Sequence, residues 1–348
     1  MRITDVRAVY PEYQPPRSGW RGPMWQVVVE IQTDAGLTGL GVGGAGGAAA
    51  YIINEHFRGL LLGRDPDKIQ TLWDELYAAS LAYGRKGVAV MALSGVDLAL
   101  WDLRGKAQQQ PVYRLLGAET PAPATAYATG SDVARYQQAG YRAFKLTQPK
   151  GPRDGDAGIE ENVARVRAAR ELGGPEADLM LDAWMSWDVD YTLRMAERLA
   201  PYHLKWIEEP LSADDYSGYA RLTREIGTTQ IAAGEHEYTH FGFGEFIRNR
   251  CAHVLQPDVT WCGGLTAALR ILALAEAAGL PVIPHRGGEV WGLHLVAAKG
   301  LGLAEQVIGD GEYPAGDPAL SGAPRQQDGL ITPTERPGFG VTLAPGVL

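Results

Sequence analysis

Apolar and polar residues alternate in two stretches near the start of the chain, "ITDVRAVY" and "WQVVVEIQTDAGLTGLG". Period-two alternation is typical of half-buried strands, and "DAG" supplies a turn that divides the second stretch into two strands. The intervening "PEYQPPRSGWRGPM" has too much Pro, Gly and Arg for regular structure, so it predicts a mobile loop carrying Arg17, Trp20 and Arg21. The glycine-rich "GVGGAGGAAA" favours a flexible connector over a phosphate cradle, because no P-loop Lys-Ser/Thr follows it.

A helical period replaces the strand period from Tyr51 to Leu116. Apolar residues three and four apart in "GVAVMALSGVDLALWDLRGKA" predict a buried helix. From residue 123 onward, strand patterns alternate with helical ones. The candidate strands are Ala124–Ala128, Ala143–Thr147, Leu179–Ala183, Leu204–Glu208, Gln230–Gly234, His253–Gln256, Val282–Pro284 and Leu303–Ile308. About eight βα repeats in roughly 190 residues predict a parallel sheet that closes into a barrel. The tail "RPGFGVTL" lacks this rhythm and is expected to fold back onto the N-terminal domain.

The charge balance narrows the classes of partner. The formal charge of −9 and the pI near 5.3 argue against nucleic acid or an anionic membrane, although local cationic groups or a metal still allow an anionic substrate. Cys251 and Cys262 cannot form a disulfide framework, and nothing near them has the spacing of a zinc site. The N-terminus lacks the apolar core of a signal peptide, and no apolar run is long enough to span a bilayer. A cytoplasmic protein is expected.

Polar and charged residues follow or end seven consecutive candidate strands. The carboxyl ends of barrel strands share one face, where enzymes with this architecture place their chemistry. Any one of these residues is more often a helix N-cap or a surface acid, but seven in order indicate a site. They are Lys145, Asp182, Glu208 with Glu209, Glu235 with His236, Asp258, His285 and Glu305.

Asp182, Glu208 and Glu235 lie 26 and 27 residues apart, one βα unit each. Neighbouring parallel strands are about 4.8 Å apart, so three converging carboxylates would repel one another strongly without a cation between them. An all-oxygen ligand set suits Mg²⁺ better than Zn²⁺, which prefers His and Cys. No His-x-His lies on the first strand, which argues against a zinc-dependent barrel.

Asp258 and His285 are 27 residues apart on the next two strands. A carboxylate that accepts a hydrogen bond from an imidazole fixes its tautomer and raises its basicity, which makes a general base. Lys145 lies at the rim of the same ring, where it either forms a structural salt bridge or balances negative charge on a bound carboxylate. No G-x-S-x-G is present, so covalent hydrolase chemistry has no support.

These residues resemble the mandelate racemase branch of the enolase superfamily, and most of all its acid-sugar dehydratases of the L-rhamnonate type. The resemblance covers nearly the whole chain. It rests on "VDLALWDLRGKAQQQPVYRLLGA", "DGDAGIEENVARVRAARE", "LMLDAW", "LKWIEEP", "GEH", "LQPDVTWCGGLT", "IPH" and "PGFGV". It implies an α/β fold, a modified TIM (β/α) barrel with an N-terminal α+β capping domain. The implied division is residues 1–118 for the capping domain with its lid loops, 119–312 for the barrel and 313–348 for a segment returning to the cap. In this reading "GVGGAGGAAA" belongs to the lid.

The resemblance also implies roles for single residues. Asp182, Glu208 and Glu235 would ligate Mg²⁺, and His285, oriented by Asp258, would abstract the proton α to a substrate carboxylate. Lys145 and Glu305 would hold the resulting enediolate, and His236 matches a second active-site histidine. Substrate contacts are expected from the N-terminal loop and from the segment after His285. The residues concerned are Arg17, Trp20, Arg21, Arg286 and Trp291. The implied partners are a small-molecule sugar acid and further copies of the chain in a homo-oligomer.

Three departures from the family pattern bear on the reaction. Racemases of this branch carry Lys-x-Lys at the second barrel strand, but here Lys145 is followed by Leu146 and Thr147, which favours elimination with one base. The N-terminal loop lacks a histidine, since the first histidine is His56. "RGGEVWGLH" stands after "IPH" in place of a Ser-rich segment. The expected reaction is Mg²⁺-dependent dehydration of a sugar acid to a 2-keto-3-deoxy acid. An epimerase or cycloisomerase, and a catalytically silent metal-binding barrel, remain as alternatives.

Overall fold

Three antiparallel strands open the described part of the chain, which comprises residues 1–12, 19–308, 319–345 and 347 of this computed structural model. They are β1 (Ile3–Val9), β2 (Val27–Thr33) and β3 (Thr38–Gly43), paired in that order. The predicted "DAG" turn joins β2 to β3, and its Gly36 has the positive φ of 73° that favours glycine. The strand prediction for this region is confirmed.

Glycine on β3 allows a long helix, α5 (Val88–Ala107), to approach the sheet closely. A Cβ on Gly39, Gly41 or Gly43 would lie 2.2, 2.2 or 2.3 Å from a backbone oxygen of α5. The prediction that this apolar helix is buried is confirmed. The prediction of a flexible connector at "GVGGAGGAAA" is wrong: its first glycines are buried in this contact, and a second helix begins at Gly46. Alternate glycines serve close packing here, a role that low complexity does not reveal.

From Val133 onward the helices follow the predicted alternation with strands, whereas the earlier helices belong to the N-terminal layer. The helices other than α5 are α1 (Arg21–Met24), α2 (Gly46–Ile52), α3 (Arg58–Leu61), α4 (Ile69–Gly84), α6 (Val112–Leu115), α7 (Val133–Gln138), α8 (Gly155–Gly173), α9 (Val189–Leu199), α10 (Tyr216–Glu225), α11 (Thr239–Arg248), α12 (Gly264–Ala278) and α13 (Val290–Lys299). A π-helical turn at Ile53–Phe57 and 3₁₀ turns at Pro152–Asp154 and Ala200–Tyr202 adjoin them. Within the described ranges, no helix has both the length and the apolar character needed to cross a membrane.

Seven parallel strands form the large sheet in the order β10-β4-β5-β6-β7-β8-β9. Their bounds lie within two residues of the predicted ones, and β5 has the bounds predicted. They are β4 (Ala124–Thr129), β5 (Ala143–Thr147), β6 (Asp178–Asp182), β7 (Trp206–Glu208), β8 (Gln230–Ala233), β9 (Val254–Leu255) and β10 (Leu303–Val307).

The predicted strand Val282–Pro284 is reduced to one parallel bridge, between Val282 and Leu255. Prolines at 281 and 284 flank it, and a proline has no N–H to donate to a ladder. Ile283 still donates its N–H to the Leu255 carbonyl at 2.9 Å. One buried residue from each of the eight strand positions forms the barrel interior: Tyr127, Ala143, Met180, Trp206, Ala232, Val254, Ile283 and Leu303. The architecture is the predicted modified barrel behind an N-terminal α+β layer.

The C-terminal residues connect the barrel to the N-terminal layer. β11 (Leu320–Ser321) pairs with β13 (Thr342–Leu343), and β12 (Leu330–Ile331) adds an antiparallel edge to β4. Farther along, Phe339 donates its N–H to Asp102 of α5 at 2.9 Å, and Gly338 accepts from the Val112 N–H at 2.9 Å. The division at residues 118 and 312 stays a prediction.

Candidate metal centre and active site

Three carboxylates from neighbouring strands meet at the carboxyl face of the barrel. Asp182 ends β6 and Glu208 ends β7, and these two residues are directly paired in the sheet register. Glu235 follows the end of β8 by two residues. One oxygen from each carboxylate lies within 4.8 Å of the others, so the predicted convergence is present. Strand register therefore brings together residues that are 26 and 27 positions apart.

Local donors fix two of these carboxylates. Glu208 is fully buried, and its Oε2 accepts hydrogen bonds from Trp206 Nε1 at 3.0 Å and Gln256 Nε2 at 2.6 Å. Asp182 is partly buried and accepts from the Trp184 backbone N–H at 2.9 Å. Oε2 of Glu235, in contrast, is buried without a hydrogen-bond partner among the described residues. An orphaned carboxylate oxygen beside two others is a fitting ligand for a hard cation.

Burial and mutual repulsion act on all three groups. Burial raises the pKa of Asp182, raises that of Glu208 to about 7, and raises that of Glu235 well above its usual value. The negative charge of neighbouring acids adds to the effect, while Lys145 opposes it at Asp182 and Glu208. Such a set is costly without a compensating cation, and its all-oxygen chemistry fits Mg²⁺.

Lys145 is fully buried and bridges two acids across the barrel mouth. Its Nζ forms an ion pair with Glu208 Oε1 and lies 2.7 Å from Glu305 Oε1 and 3.7 Å from Asp182 Oδ2. Burial alone would lower the pKa of Lys145, but these carboxylates outweigh it and hold the pKa well above its usual value. The lysine is therefore a fixed positive charge.

Glu305 is a buried acid held by Lys145 and two hydrogen-bond donors. Its oxygens accept hydrogen bonds from Thr129 Oγ1 at 2.5 Å and from the Arg286 backbone N–H at 2.8 Å. Burial acts to raise the pKa of Glu305, yet the charges of Lys145 and His285 and the hydrogen bonds from Lys145 and Thr129 lower it to about 2. The role of Glu305 in holding an enediolate stays a prediction.

His285 and Asp258 form the predicted pair. His285 Nδ1 lies 2.9 Å from Asp258 Oδ2, and Asp258 Oδ1 accepts from Thr260 through its N–H at 2.6 Å and its hydroxyl at 2.7 Å. The other ring nitrogen, Nε2, lies 3.5 Å from Glu235 Oε2 and 3.9 Å from Glu305 Oε2. Burial acts to lower the pKa of His285, but the three surrounding carboxylates raise it to about 10. The imidazole is thus oriented by one acid and faces the metal-ligand set.

His236 forms a second imidazole–carboxylate pair, with Glu209. Nδ1 of His236 lies 2.6 Å from Glu209 Oε2 and 3.6 Å from Glu235 Oε1. Burial acts to lower the pKa of His236, but Glu209 outweighs it and raises the pKa above its usual value. The indole of Trp261 lies between the two histidines, with ring centroids 5.7 Å from His236 and 5.4 Å from His285.

The predicted loop residues lie partly within the described chain. Arg17 is outside it. The guanidinium carbon of Arg21 lies 4.7 Å from the ring centroid of Trp20, 5.7 Å from that of Trp25 and 5.5 Å from that of Trp184. Arg21 begins the short helix α1, so the prediction of irregular structure is wrong for residues 21–24. Trp184 follows Asp182 by two residues and is 44% exposed, so α1 reaches the rim of the carboxylate site. Trp20 is 42% exposed. Their contact with a substrate stays a prediction.

Arg286 and Trp291 occupy different environments. The Arg286 guanidinium pairs with Glu289 and lies 5.6 Å from the Trp25 ring, while its backbone N–H binds Glu305. Trp291 is not brought to this group: it is 2% exposed and packs edge-on against Phe339, with ring centroids 4.7 Å apart. Its position on the apolar helix α13 accounts for this burial, so a predicted pocket contact at Trp291 has no support.

Several residues of the site are not predicted to be functional from the sequence. Thr129 and Gln256 bind its acids, and the indole of Trp261 packs near both histidines. Glu209, which the sequence places beside Glu208 without a separate role, orients His236. Nothing in the local sequence distinguishes the others from ordinary core residues.

Comparison with known proteins places this geometry in a family. The family described as "Enolase C-terminal domain-like" matches residues 128–347, and "Mandelate racemase / muconate lactonizing enzyme, N-terminal domain" matches residues 20–117. L-rhamnonate dehydratase of Saccharopolyspora erythraea is 39% identical over 354 residues, covering 99% of this chain and 90% of that protein.

Solved structures agree with this likeness. Rhamnonate dehydratase from Gibberella zeae, complexed with Mg, matches with a TM-score of 0.91 and 30% identity, covering 99% of this chain and 95% of that one. The 3,6-anhydro-D-galactonate cycloisomerase from Zobellia galactanivorans matches with a TM-score of 0.88 and 28% identity, covering 99% and 97%. The likeness therefore extends over the whole chain and includes relatives named for two different reactions.

Proposed function

The chain belongs to the mandelate racemase / muconate lactonizing enzyme family of the enolase superfamily, and on this premise we propose that it is a Mg²⁺-dependent sugar-acid dehydratase. Its substrate would be a 2,3-dihydroxy acid and its product a 2-keto-3-deoxy acid. The observation that carries the proposal is the placement of the His285–Asp258 pair against the carboxylate triad, with His285 Nε2 3.5 Å from Glu235 Oε2.

Asp182, Glu208 and Glu235 would hold the ion, since their oxygens converge and one is orphaned. When bound, Mg²⁺ supplies positive charge that offsets the carboxylates around His285, lowers the pKa of this imidazole, and stabilises negative charge on the substrate carboxylate. One solved relative, the rhamnonate dehydratase from Gibberella zeae, is complexed with Mg. The role of each ligand is part of the proposal.

His285 would act as the base. Its Nε2 removes the proton from the α-carbon, and the electron pair of the broken C–H bond moves into the substrate carboxylate to form an enediolate. Asp258 holds Nδ1 and stabilises the imidazolium that results. Lys145 supplies a fixed ammonium charge beside the developing negative charge, and Glu305 anchors that ammonium at 2.7 Å.

Loss of the 3-hydroxyl completes the elimination. The enediolate electrons return to form the carbon–carbon double bond as the C3–O bond breaks, and a proton makes the leaving group water. His285 carries that proton after the first step, and His236 is the second group able to supply one, because both imidazoles face Glu235. The enol product then tautomerises to the 2-keto acid.

The lysine at the site favours elimination over racemisation or epimerisation. Lys145 is buried and its ammonium is paired with Glu208 and Glu305, so it is placed to balance negative charge. The residue two positions on is Thr147 rather than a second lysine. Only one face of the α-carbon would therefore meet a base.

A substrate screen tests this function. The purified protein is incubated with mono- and di-acid sugars, including L-rhamnonate because of the identity to its dehydratase, and keto-acid product is assayed with Mg²⁺ or with EDTA. We expect product with Mg²⁺, none with EDTA, and none from His285→Asn. A His285→Asn variant with full kcat would contradict the assigned base. Absence of keto acid from every compound would favour the silent metal-binding barrel.

The same screen in deuterated water separates the alternative reactions. Deuterium at the α-carbon of recovered, inverted substrate would identify an epimerase. An isomeric product without loss of water would identify a cycloisomerase, the activity named for one structural relative. We also propose a homo-oligomer, which light scattering of the eluted protein would establish by its mass.

A further inference from the structure

Glu237 lies in the turn that carries two residues of the site, but its side chain has different partners. It follows Glu235 and His236 directly and is 3% exposed. Its carboxylate accepts a hydrogen bond from the Tyr238 backbone N–H at 2.7 Å and one from the Tyr216 hydroxyl. The backbone of the same turn is closed by a hydrogen bond from Glu237 N–H to the Gly234 carbonyl at 3.0 Å.

Lys86 reaches this carboxylate from the turn between α4 and α5, which is 151 residues earlier in the chain. Its Nζ lies 2.8 Å from Oε1 and 2.9 Å from Oε2 of Glu237. The lysine side chain is 42% exposed, whereas that of Glu237 is 4% exposed. Removing Lys86 would leave a buried carboxylate without its cation, and an uncompensated buried charge is costly.

Close packing around the turn at residues 234–237 restricts its position. Val90 of α5, Tyr238 and Trp261 form one buried cluster. Gly242 of α11 leaves room for the acid, because a Cβ there would lie 2.2 Å from Glu237 Oε1. The N-terminal layer therefore contacts the metal-ligand turn through an ion pair and an apolar cluster, and the cluster includes the indole that touches both histidines.

We propose that Lys86 is a positioning residue: through Glu237 it fixes the turn that presents Glu235 to the metal and His236 to the substrate. This inference rests on the proposed Mg²⁺ site. A partner that orients a metal ligand changes metal affinity when it is removed, commonly by about 10- to 100-fold. Because Lys86 acts one residue further out than such a partner, an effect at the lower end is expected.

Calorimetric titration of the purified protein with Mg²⁺ alone tests the inference without measuring turnover. We expect Lys86→Met to weaken the Mg²⁺ Kd by about tenfold, and Lys86→Arg to restore most of it, since arginine keeps the cation at a half-exposed site. Tyr216→Phe removes one hydrogen bond to the same carboxylate and is expected to weaken Mg²⁺ binding less. It also serves as the second variant if Lys86→Met does not fold.

Lys205→Met is the matched control. Lys205 is 38% exposed and pairs with Asp178 at 3.1 Å, at the start of the strands rather than at their carboxyl ends. If Lys86→Met binds Mg²⁺ as tightly as the wild type and Lys205→Met, Lys86 is only a structural ion pair and the inference is wrong. If the wild type binds no Mg²⁺, the metal site itself fails and the proposed function fails with it.

Discussion

Nδ1 of His285 lies 2.9 Å from Oδ2 of Asp258, an acid that is 1% exposed and whose other oxygen is held by Thr260. Burial acts to raise the pKa of Asp258, but the hydrogen bond and charge of His285 outweigh it and lower the pKa. The acid therefore stays ionised and holds the ring with Nε2 directed at the carboxylate triad.

Asp258→Asn should remove this orientation while keeping the Thr260 hydrogen bonds through the amide oxygen. We expect kcat for keto-acid formation to fall by about 10² or more, because a general base of the wrong tautomer loses most of its contribution. The Mg²⁺ Kd measured by calorimetry is the control and should change little. A kcat close to that of the wild type would show that Asp258 does not orient the base.

Lys145→Met should remove the positive charge that offsets the repulsion among the buried acids. Removing one partner of a buried ion pair typically costs about 3–5 kcal/mol, and Lys145 serves both Glu208 and Glu305. The variant should therefore unfold at lower temperature in EDTA. Mg²⁺ should restore more of the melting temperature than it adds to the wild type, since the ion then provides the positive charge that the acids lack.

Thermal unfolding with EDTA and with saturating Mg²⁺ measures this difference. The matched control is Arg64→Met, which removes an ion pair with Glu75 whose partners are 40% and 46% exposed. Water screens an exposed pair of this kind and leaves it little net stabilisation, so this variant should melt near the wild type in both buffers. Equal losses for Lys145→Met in the two buffers would contradict the coupling between the lysine and the metal site.

The site was largely predictable because a βα barrel converts sequence spacing into position. Asp182, Glu208 and Glu235 each lie at or just after the carboxyl end of a strand. The βα repeat by itself therefore predicts that all three share one face of the barrel. Contacts between the N-terminal layer and the barrel do not recur at a fixed spacing in the sequence. The Lys86–Glu237 pair joins residues 151 positions apart, and either residue alone resembles an ordinary surface charge.

Two sequence predictions differ from the structure, each for a physical reason. The glycine-rich stretch that ends β3 and begins α2 has the composition of a linker, but its Gly41 and Gly43 lie against α5 at distances no side chain would allow. The departure of "RGGEVWGLH" from the family's Ser-rich segment predicts that Trp291 alters the pocket, whereas in the structure this side chain packs against Phe339. Composition and departure from a family pattern do not report which face of an element is buried.

Gly41→Ala should be strongly destabilising. The added Cβ would lie 2.2 Å from the Gly95 carbonyl oxygen and 2.5 Å from the Ala99 nitrogen, so α5 would have to move away from the sheet. Overpacking of a rigid contact typically costs about 1–3 kcal/mol or more. Denaturant unfolding, monitored by circular dichroism, should show a lower midpoint.

Gly47→Ala is the control for that substitution. Gly47 lies in α2, and a Cβ there meets nothing within 4 Å. Alanine in a helix is favoured over glycine by about 0.5–1 kcal/mol, so this variant should be slightly more stable than the wild type. If both variants lost the same stability, close packing of β3 against α5 would not be the cause.

His294 should make the fold sensitive to acid, independently of the active site. It is fully buried in α13, its Nδ1 accepts the Tyr113 backbone N–H at 3.1 Å, and its ring packs against Phe339. Burial lowers the pKa of His294 to about 3, although a hydrogen bond with the Phe339 backbone acts in the opposite direction. Between this value and the ordinary 6.5, the unfolded chain binds a proton that the folded chain does not. The stabilisation is therefore complete above the unfolded pKa and is lost as the pH falls.

His294→Asn isolates this contribution, because the amide oxygen can accept the same N–H and does not titrate. The free energy of unfolding of the wild type, relative to the variant, should drop by about 2 kcal/mol between about pH 7 and pH 5. Urea unfolding of both proteins at each pH measures the difference. The lost ring volume lowers the variant's stability by the same amount at every pH, so the change with pH carries the test. If the free energies of unfolding of the two proteins changed in parallel with pH, the buried imidazole would take up a proton without losing its packing against Phe339.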